Sequence, residues 1–394
     1  MLLINAARGK VTGAPHNVVR KKEKIDLLDF EESQMISASE KLNQFGWNEW
    51  FDAKAQEIIL AGHRLARVVA VDREQLLVID EAGEYRAKLA GRFLYTTERP
   101  SDFPCVGDWV SVQYGGSDDF GIIHDVVPRK SFLRRKAAGD TVEYQMIASN
   151  IDVALIVQSC QFDFNVNRLE RYLVMVRNGQ VDPVILITKT DLVSPEALQE
   201  LIDEIRNAGI TTEVISLSNI TGEGVNNVRE ILQSGKTYSL LGSSGVGKST
   251  LINQLIGRQM LETKMVSGTG EGRHTTVRRE LILLSNGAML IDNPGMREFG
   301  IMGAEEGMGD SFADIYKLAS KCKYRDCSHL KEKGCAVLRA VEEGTLHRAR
   351  YQSFIKLRTE SEFHDLSYLE KRNKDKAFGR YLKSVKKDLG INRK

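Results

Sequence analysis

The order of three short motifs constrains this chain more than anything else in it. An apolar run from Thr237 leads into Gly242-Ser243-Ser244-Gly245-Val246-Gly247-Lys248-Ser249. In this Gly-x4-Gly-Lys-Ser pattern a strand turns into a helix whose free N–H groups and positive dipole end cradle phosphates. Upstream of it, the apolar run Val184 to Ile187 ends in Thr188-Lys189-Thr190-Asp191; downstream, Ala288 to Ile291 ends in Asp292-Asn293-Pro294-Gly295. A carboxylate at the place of Asp191 can accept two hydrogen bonds from the N1–H and N2–H₂ of guanine, a pair adenine does not offer. An ordinary GTPase carries the phosphate loop first and the base motif after the Asp-x-x-Gly. The chain is therefore expected to hold a circularly permuted P-loop GTPase domain, a rearrangement a fold tolerates because domain termini usually lie close together at the surface.

The motifs assign expected roles. Guanine nucleotide is to be bound by Thr188, Lys189, Asp191, Ser218, Asn219, Gly242, Ser243, Ser244, Gly245, Val246, Gly247, Lys248, Ser249, Thr250 and Gly295. Lys248 should reach the β/γ oxygens, while Ser249, Asp292 and one of Thr275 and Thr276 should hold Mg²⁺. Thr188 stands where Asn is commoner, keeping a hydroxyl but losing an amide donor. Ser218-Asn219 follow the strand-like Glu213 to Leu217 and would brace the base from behind. Gly272-Arg273-His274-Thr275-Thr276 reads as switch I. Met296 follows Gly295 where many GTPases carry a water-orienting Gln, and a thioether cannot do that work. His274 is the nearest replacement, since neutral imidazole can orient water or accept a proton near pH 7. On the residues alone, His274 is either that group or a polar residue on a loop.

A second pattern lies at Cys322-x4-Cys327-x-His329-x5-Cys335. Three thiolates and an imidazole suit one closed, tetrahedral structural zinc, which would supply folding energy to a loop made mostly of charged residues. The two remaining cysteines, Cys105 and Cys160, sit in apolar strand-like contexts, so no disulfide framework is expected and a reduced compartment follows. With 394 residues, 42% of them hydrophobic, the chain can build two or three cores. No stretch approaches the apolar length of a membrane span, and Met1 to Lys24 is too basic and broken for a secretory signal. A cytoplasmic protein without membrane partners, acting as a monomer, is expected.

The segment 1–50 reads as an N-terminal extension, polar until the aromatic cluster of Phe45, Trp47, Trp50 and Phe51, which should pack on a neighbouring domain. Residues 51–136 show short alternating strands at Leu65 to Val71, Gln75 to Ile79, Glu84 to Leu89, Trp109 to Tyr114 and Gly121 to Val127, the spacing of an OB-type β-barrel. Beside it stand Arg129, Lys130, Arg134, Arg135 and Lys136, either an RNA contact or a solvated linker. Residues 137–303 alternate strands and helices, implying a mainly parallel sheet with helices on both faces. Within it Asn167 is expected to cap a helix ending at Gly179, and Ser194-Pro195 to start one ending at Gly209. Residues 304–360 form the zinc-binding helical domain, and 361–394 a basic tail. From Lys371 onward that tail holds ten Lys or Arg against two acids in a chain of net charge +2, which suits either a polyanion partner or a solvated end. The fold expected is thus multidomain α/β.

Taken together, the motif order, Gly272-Arg273-His274-Thr275-Thr276, Asp292-Asn293-Pro294-Gly295-Met296-Arg297-Glu298-Phe299, the Cys₃His spacing, and the barrel segments Phe103-Pro104-Cys105-Val106-Gly107-Asp108-Trp109-Val110 and Pro128-Arg129-Lys130-Ser131 resemble the RsgA (YjeQ) family of circularly permuted GTPases, from about Leu65 to about Tyr351. The resemblance implies GTP hydrolysis during late maturation of the small (30S) ribosomal subunit, binding of the subunit and its rRNA in a nucleotide-dependent way, stimulation by the subunit, and release after conversion of GTP to GDP. It also implies that His274 is catalytic. Two rival readings are a phosphoryl-transfer enzyme on a small metabolite, which has no use for the base motif, and a nucleotide-gated RNA-binding module not dedicated to the ribosome.

Overall fold

The computed structural model describes residues 41–56, 58–72, 75–115, 120–136, 144–161, 163–257, 279–293 and 304–365. The strands are β1 (Arg64–Val71), β2 (Leu76–Ile79), β3 (Glu84–Leu89), β4 (Trp109–Tyr114), β5 (Phe120–Val126), β6 (Phe132–Lys136), β7 (Tyr144–Ser149), β8 (Val153–Ser159), β9 (Asp182–Thr188), β10 (Val214–Ser216), β11 (Thr237–Leu241), β12 (Glu280–Leu283) and β13 (Met289–Asp292). The helices are α1 (Glu49–Ala55), α2 (Gly91–Thr96), α3 (Val166–Asn178), α4 (Pro195–Asn207), α5 (Val225–Ile231), α6 (Lys248–Ile256), α7 (Glu305–Ser311), α8 (Ala313–Ala319), α9 (Ala336–Glu342) and α10 (Arg348–Asp365).

β1 to β5 close into a small barrel, as the alternating strand pattern leads one to expect. Its order is β1-β2-β3-β5-β4, with β4 returning to pair with β1 and β3 running parallel to β5. β8 to β11 and β13 form a parallel sheet in the order β10-β9-β8-β11-β13, and β12 is antiparallel beside β13. β9 and β11 are buried along nearly their whole length because both faces are covered. The two units are one continuous eleven-stranded sheet, joined where Ala70 of β1 pairs with Glu280 of β12. β6 and β7 form a separate antiparallel hairpin that spans position 136.

α3 begins earlier than the sequence pattern suggests. Its cap is Asn165, whose backbone is extended at φ −159° and whose side chain accepts from Arg168 N at 2.9 Å; Asn167 already lies in the first turn. Gly179 ends it. α4 starts at Pro195 behind the Ser194 cap, and Gly209 follows its end in the left-handed region at φ 75°.

The aromatic cluster packs on the barrel: Trp47 meets Trp109 edge-on at 4.8 Å, and Phe51 stacks on Trp47 at 5.4 Å. Behind them lies Arg67, only 1% exposed. Its guanidinium donates to the carbonyls of Gly107 at 3.3 Å and Asn150 at 3.0 Å, to the Thr237 hydroxyl at 2.9 Å and to the Phe45 carbonyl. One side chain thereby links the N-terminal segment, the barrel and β11, the strand that leads into the phosphate loop. Burial pushes its pKa down to about 10, against the nearby Asp152 and Asp108 carboxylates. Replacing it leaves several buried acceptors unpaired, so Arg67→Met is expected to cost about 2–4 kcal/mol. Urea unfolding measures this, and an unchanged midpoint would contradict it.

Candidate functional site

The carboxyl ends of the parallel strands β9, β11 and β13 converge on one edge of the sheet, where open α/β sheets bind their ligands. β11 runs into the phosphate loop, and two glycines there are required by close approach. A Cβ on Gly242, at φ 143°, would lie 2.2 Å from the Val157 carbonyl oxygen, and one on Gly247, at φ 100°, 2.7 Å from the Asn219 amide nitrogen. α6 starts directly after Gly247, so Ser249 and Thr250 occupy its first turn.

Lys248 is 7% exposed, with Nζ donating to the carbonyls of Gly242 at 2.8 Å and Ser243 at 2.6 Å, which folds it back over the loop. Burial pushes its pKa down to about 8, opposed by the carboxylates of Asp292 and Asp163. Asp292 ends β13 and is buried; the next residue, Asn293, donates from Nδ2 to Ser239 Oγ at 2.7 Å.

The base-side residues are bonded to this loop. Thr188 is fully buried, and its hydroxyl approaches the carbonyl of Val246 at 2.6 Å and that of Gln158 at 3.2 Å. Its role is therefore to tie β9 to the phosphate loop, a task that a single hydroxyl donor can perform. Lys189 takes a left-handed backbone at φ 62°, turning the chain so that Asp191 accepts from Ser218 Oγ at 2.5 Å. That hydroxyl also accepts from the N–H groups of Ile220 and Thr221, both at 3.1 Å, which fixes its orientation. Asn219 Nδ2 donates to Gly247 O at 3.1 Å. Thr188, Lys189, Asp191, Ser218, Asn219, the loop 242–250 and Asp292 are thus drawn into one constellation. His274, Thr275, Thr276 and Gly295 lie outside the described residues.

Asp163, which the motif reading missed, lies in the connection after β8, is paired with Arg168 at 2.7 Å, and adds to the negative charge that opposes the lowering of the Lys248 pKa by burial. The available signal was its place: an acid just past the carboxyl end of a parallel strand.

The four candidate metal ligands form a second centre. One donor atom from each of Cys322, Cys327, His329 and Cys335 lies within 4.8 Å of every other. Cys322 Sγ is 3.8 Å from Cys335 Sγ and 3.6 Å from His329 Nδ1, and His329 Nδ1 is 3.4 Å from Cys335 Sγ. A tetrahedral zinc with Zn–S of about 2.3 Å has ligand–ligand edges of roughly 3.8 Å, so the set fits such an ion. Cys335 caps α9, accepting from Leu338 N at 3.4 Å. Burial opposes ionisation of Cys322, but donation from the N–H of Ala336 and Val337 outweighs it and holds the thiol below its ordinary value. Burial also lowers the pKa of His329, favouring the neutral imidazole a metal needs. The turn carrying His329 is held by Glu332, which accepts from Ser328 N and Leu330 N at 3.0 Å, and by Tyr351, whose hydroxyl donates to His329 O at 2.8 Å.

The basic segment is only partly available. Arg129 grips Asp108 with both ends of its fork at 2.8 Å and donates to the carbonyls of Ser101 at 2.6 Å and Phe103 at 2.8 Å. It is a brace of the barrel, with four of its five N–H donors already engaged. Arg134 packs over Tyr144 at 3.7 Å, and Arg135 bonds Gln145 Oε1 at 2.8 Å.

The RsgA GTPase family model matches residues 126–302. Small ribosomal subunit biogenesis GTPase RsgA 1 of Bacteroides thetaiotaomicron is 36% identical over 354 residues, 90% of this chain and 99% of the relative. RsgA of Opitutus terrae is 37% identical over 332 residues, 82% of this chain and 90% of the relative. The chain belongs to the RsgA GTPase family. As an RsgA GTPase it hydrolyses GTP. The solved structure of YloQ, a circularly permuted GTPase, is 27% identical with a TM-score of 0.54, covering 78% of this chain and 98% of YloQ. YjeQ from Thermotoga maritima, at 24% identity and TM-score 0.55 over 75% of this chain and 97% of that one, shares the fold. Among the described residues of this RsgA GTPase, no helix is long and apolar enough to cross a membrane.

Proposed function

We propose that this GTPase acts on the small ribosomal subunit late in its maturation, binding the subunit and its rRNA in a GTP-dependent way and leaving after hydrolysis. The observation that carries this reading is the coverage of its relatives. Proteins named small ribosomal subunit biogenesis GTPases match 81–90% of the chain in the first five comparisons, a length well beyond the GTPase core at 126–302.

In this reading Asp191, oriented by Ser218, takes the guanine edge, while Thr188 and Asn219 hold the phosphate loop against the base-side strands. Lys248 and the loop amides take the phosphates, and Ser249, Asp292 and one of Thr275 and Thr276 hold Mg²⁺. The magnesium, when bound, neutralises charge developing on the phosphate oxygens. His274 orients the attacking water. The Cys₃His centre holds one structural zinc, and Arg134, Arg135 and the tail from Lys371 add phosphate contacts.

α3 supports coupling between nucleotide and subunit. It starts next to Asp163 and is docked on the C-terminal helices by Arg171, which forks Glu360 at 2.7 and 2.6 Å, and by Arg177, which reaches Ser311 at 3.2 Å. A change at the phosphate loop therefore has a stiff element through which to reach the metal-binding region.

GTP turnover with and without purified small subunits tests this, alongside co-sedimentation with GDP and with a non-hydrolysable GTP analogue over a salt series. Turnover should rise at least tenfold with subunits, His274→Ala should lose that rise while keeping nucleotide affinity, and binding should fall steeply with salt. Subunits that leave turnover unchanged, or that bind equally in both nucleotide states, would refute the reading and favour an RNA-binding module not dedicated to the ribosome.

A further inference from the structure

We infer that Gln254 is a positioning residue for guanine recognition, holding the loop that orients the carboxylate of Asp191. The inference rests on the reading of Asp191 as the residue that takes the guanine edge. Gln254 lies near the end of α6, the helix that starts at the phosphate loop. Its side chain crosses to the loop after β10 and donates from Nε2 to the Asn219 carbonyl at 2.5 Å. A carbonyl oxygen only accepts, so the amide must turn its nitrogen to that side. Oε1 is buried and accepts no hydrogen bond among the described residues, so the donor end is what ties the side chain down.

That bond holds one end of a single peptide unit. The Asn219 carbonyl and the Ile220 N–H are its two ends, and planarity makes them turn together. Ile220 N donates to Ser218 Oγ at 3.1 Å, and Ser218 Oγ donates to Asp191 Oδ1 at 2.5 Å. The Gln254 amide, the 219–220 peptide, the Ser218 hydroxyl and the Asp191 carboxylate thus form one continuous chain. Asn219 Nδ2 fastens the same residue to Gly247 O at 3.1 Å, so the loop is held from the phosphate loop and from α6 alike. Without the Gln254 donor the peptide is free to rotate, the Ser218 hydroxyl loses a bond that fixes its direction, and Asp191 loses the angle it needs to accept from both N1–H and N2–H₂ of guanine. None of the phosphate contacts assigned to Lys248 runs through this chain.

The test is equilibrium titration of the full-length protein with GDP and with IDP, whose base lacks the N2 amino group, together with GTP turnover at saturation. Gln254→Met, which keeps the length and removes the donor, should lower the GDP-to-IDP affinity ratio about tenfold, the worth of one charge-assisted hydrogen bond, while kcat stays within about twofold. Gln254→Lys, which brings a donor back, should recover most of the ratio. A wild-type ratio in Gln254→Met, an equal weakening of both nucleotides, or no recovery in Gln254→Lys would overturn the inference and leave Gln254 a brace between helix and loop. A wild-type ratio in Asp191→Asn would instead overturn the site reading beneath it, so the two failures are distinguishable.

Discussion

Lys248→Ala is expected to weaken guanine-nucleotide binding by at least two orders of magnitude while leaving the melting temperature within a few degrees of wild type. The ammonium is almost fully buried and aimed along the loop by two backbone carbonyls, so its charge-assisted bonds to phosphate form in a poorly solvated site, where removing one such partner costs about 3 kcal/mol or more. The carbonyls that lose it belong to the loop and can turn to water at its open edge. The same residue sets a pH dependence. Its pKa of about 8 in the free protein means that phosphate meets a charged lysine below pH 8, whereas above it each binding event must also take up a proton. Affinity should be level below pH 8 and fall about tenfold per unit above it, and that fall should vanish in Lys248→Ala. Fluorescent-nucleotide titration from pH 6.5 to 9.5 measures both effects. A variant that binds within threefold of wild type would remove Lys248 from the site.

The second large effect concerns the Cys₃His centre. Protein purified without chelator should carry about one zinc, and Cys327→Ser should lose it, with hydrogen exchange across Cys322 to Cys335 rising by several orders of magnitude. The loop has few apolar anchors of its own: Tyr324 and Leu330 are exposed, and its order rests on the turn bonds of Glu332 and on sulfur capping of α9. In structural zinc sites the metal contributes on the order of 10 kcal/mol of coupled folding energy, far more than these bonds provide. The helices behind the loop should loosen less, since Phe312, Val337, Phe354 and Leu357 form a core of their own. Nucleotide affinity should change little, because no ligand of the phosphate loop comes from this region. Full metal content in Cys327→Ser, or protection of the loop in metal-free protein, would refute the assignment.

Much of this protein is local in origin, and so legible in sequence. The barrel strands β2, β3 and β5 follow an alternation set by which face is buried, while β1 and β4 are buried along most of their length, and the phosphate loop follows from glycines at positions such as 242 and 247, where a side chain would strike another strand or loop. The Cys₃His set is likewise contained within fourteen residues, so its spacing alone points to one centre. Tertiary structure decided what lies across long separations. It brought Thr188 onto the Val246 carbonyl, 58 residues away, and turned Arg67 toward Thr237, 170 residues away, giving a basic strand residue a buried structural task. It drew Arg129 out of the basic segment and onto Asp108, and it joined barrel and GTPase sheet through the pairing of Ala70 with Glu280. The physical reason is the same in each case. Backbone conformation and amphipathic period are written in neighbouring residues, but the partner of a buried polar group is whichever group the assembled fold carries to it, and no local pattern encodes that meeting.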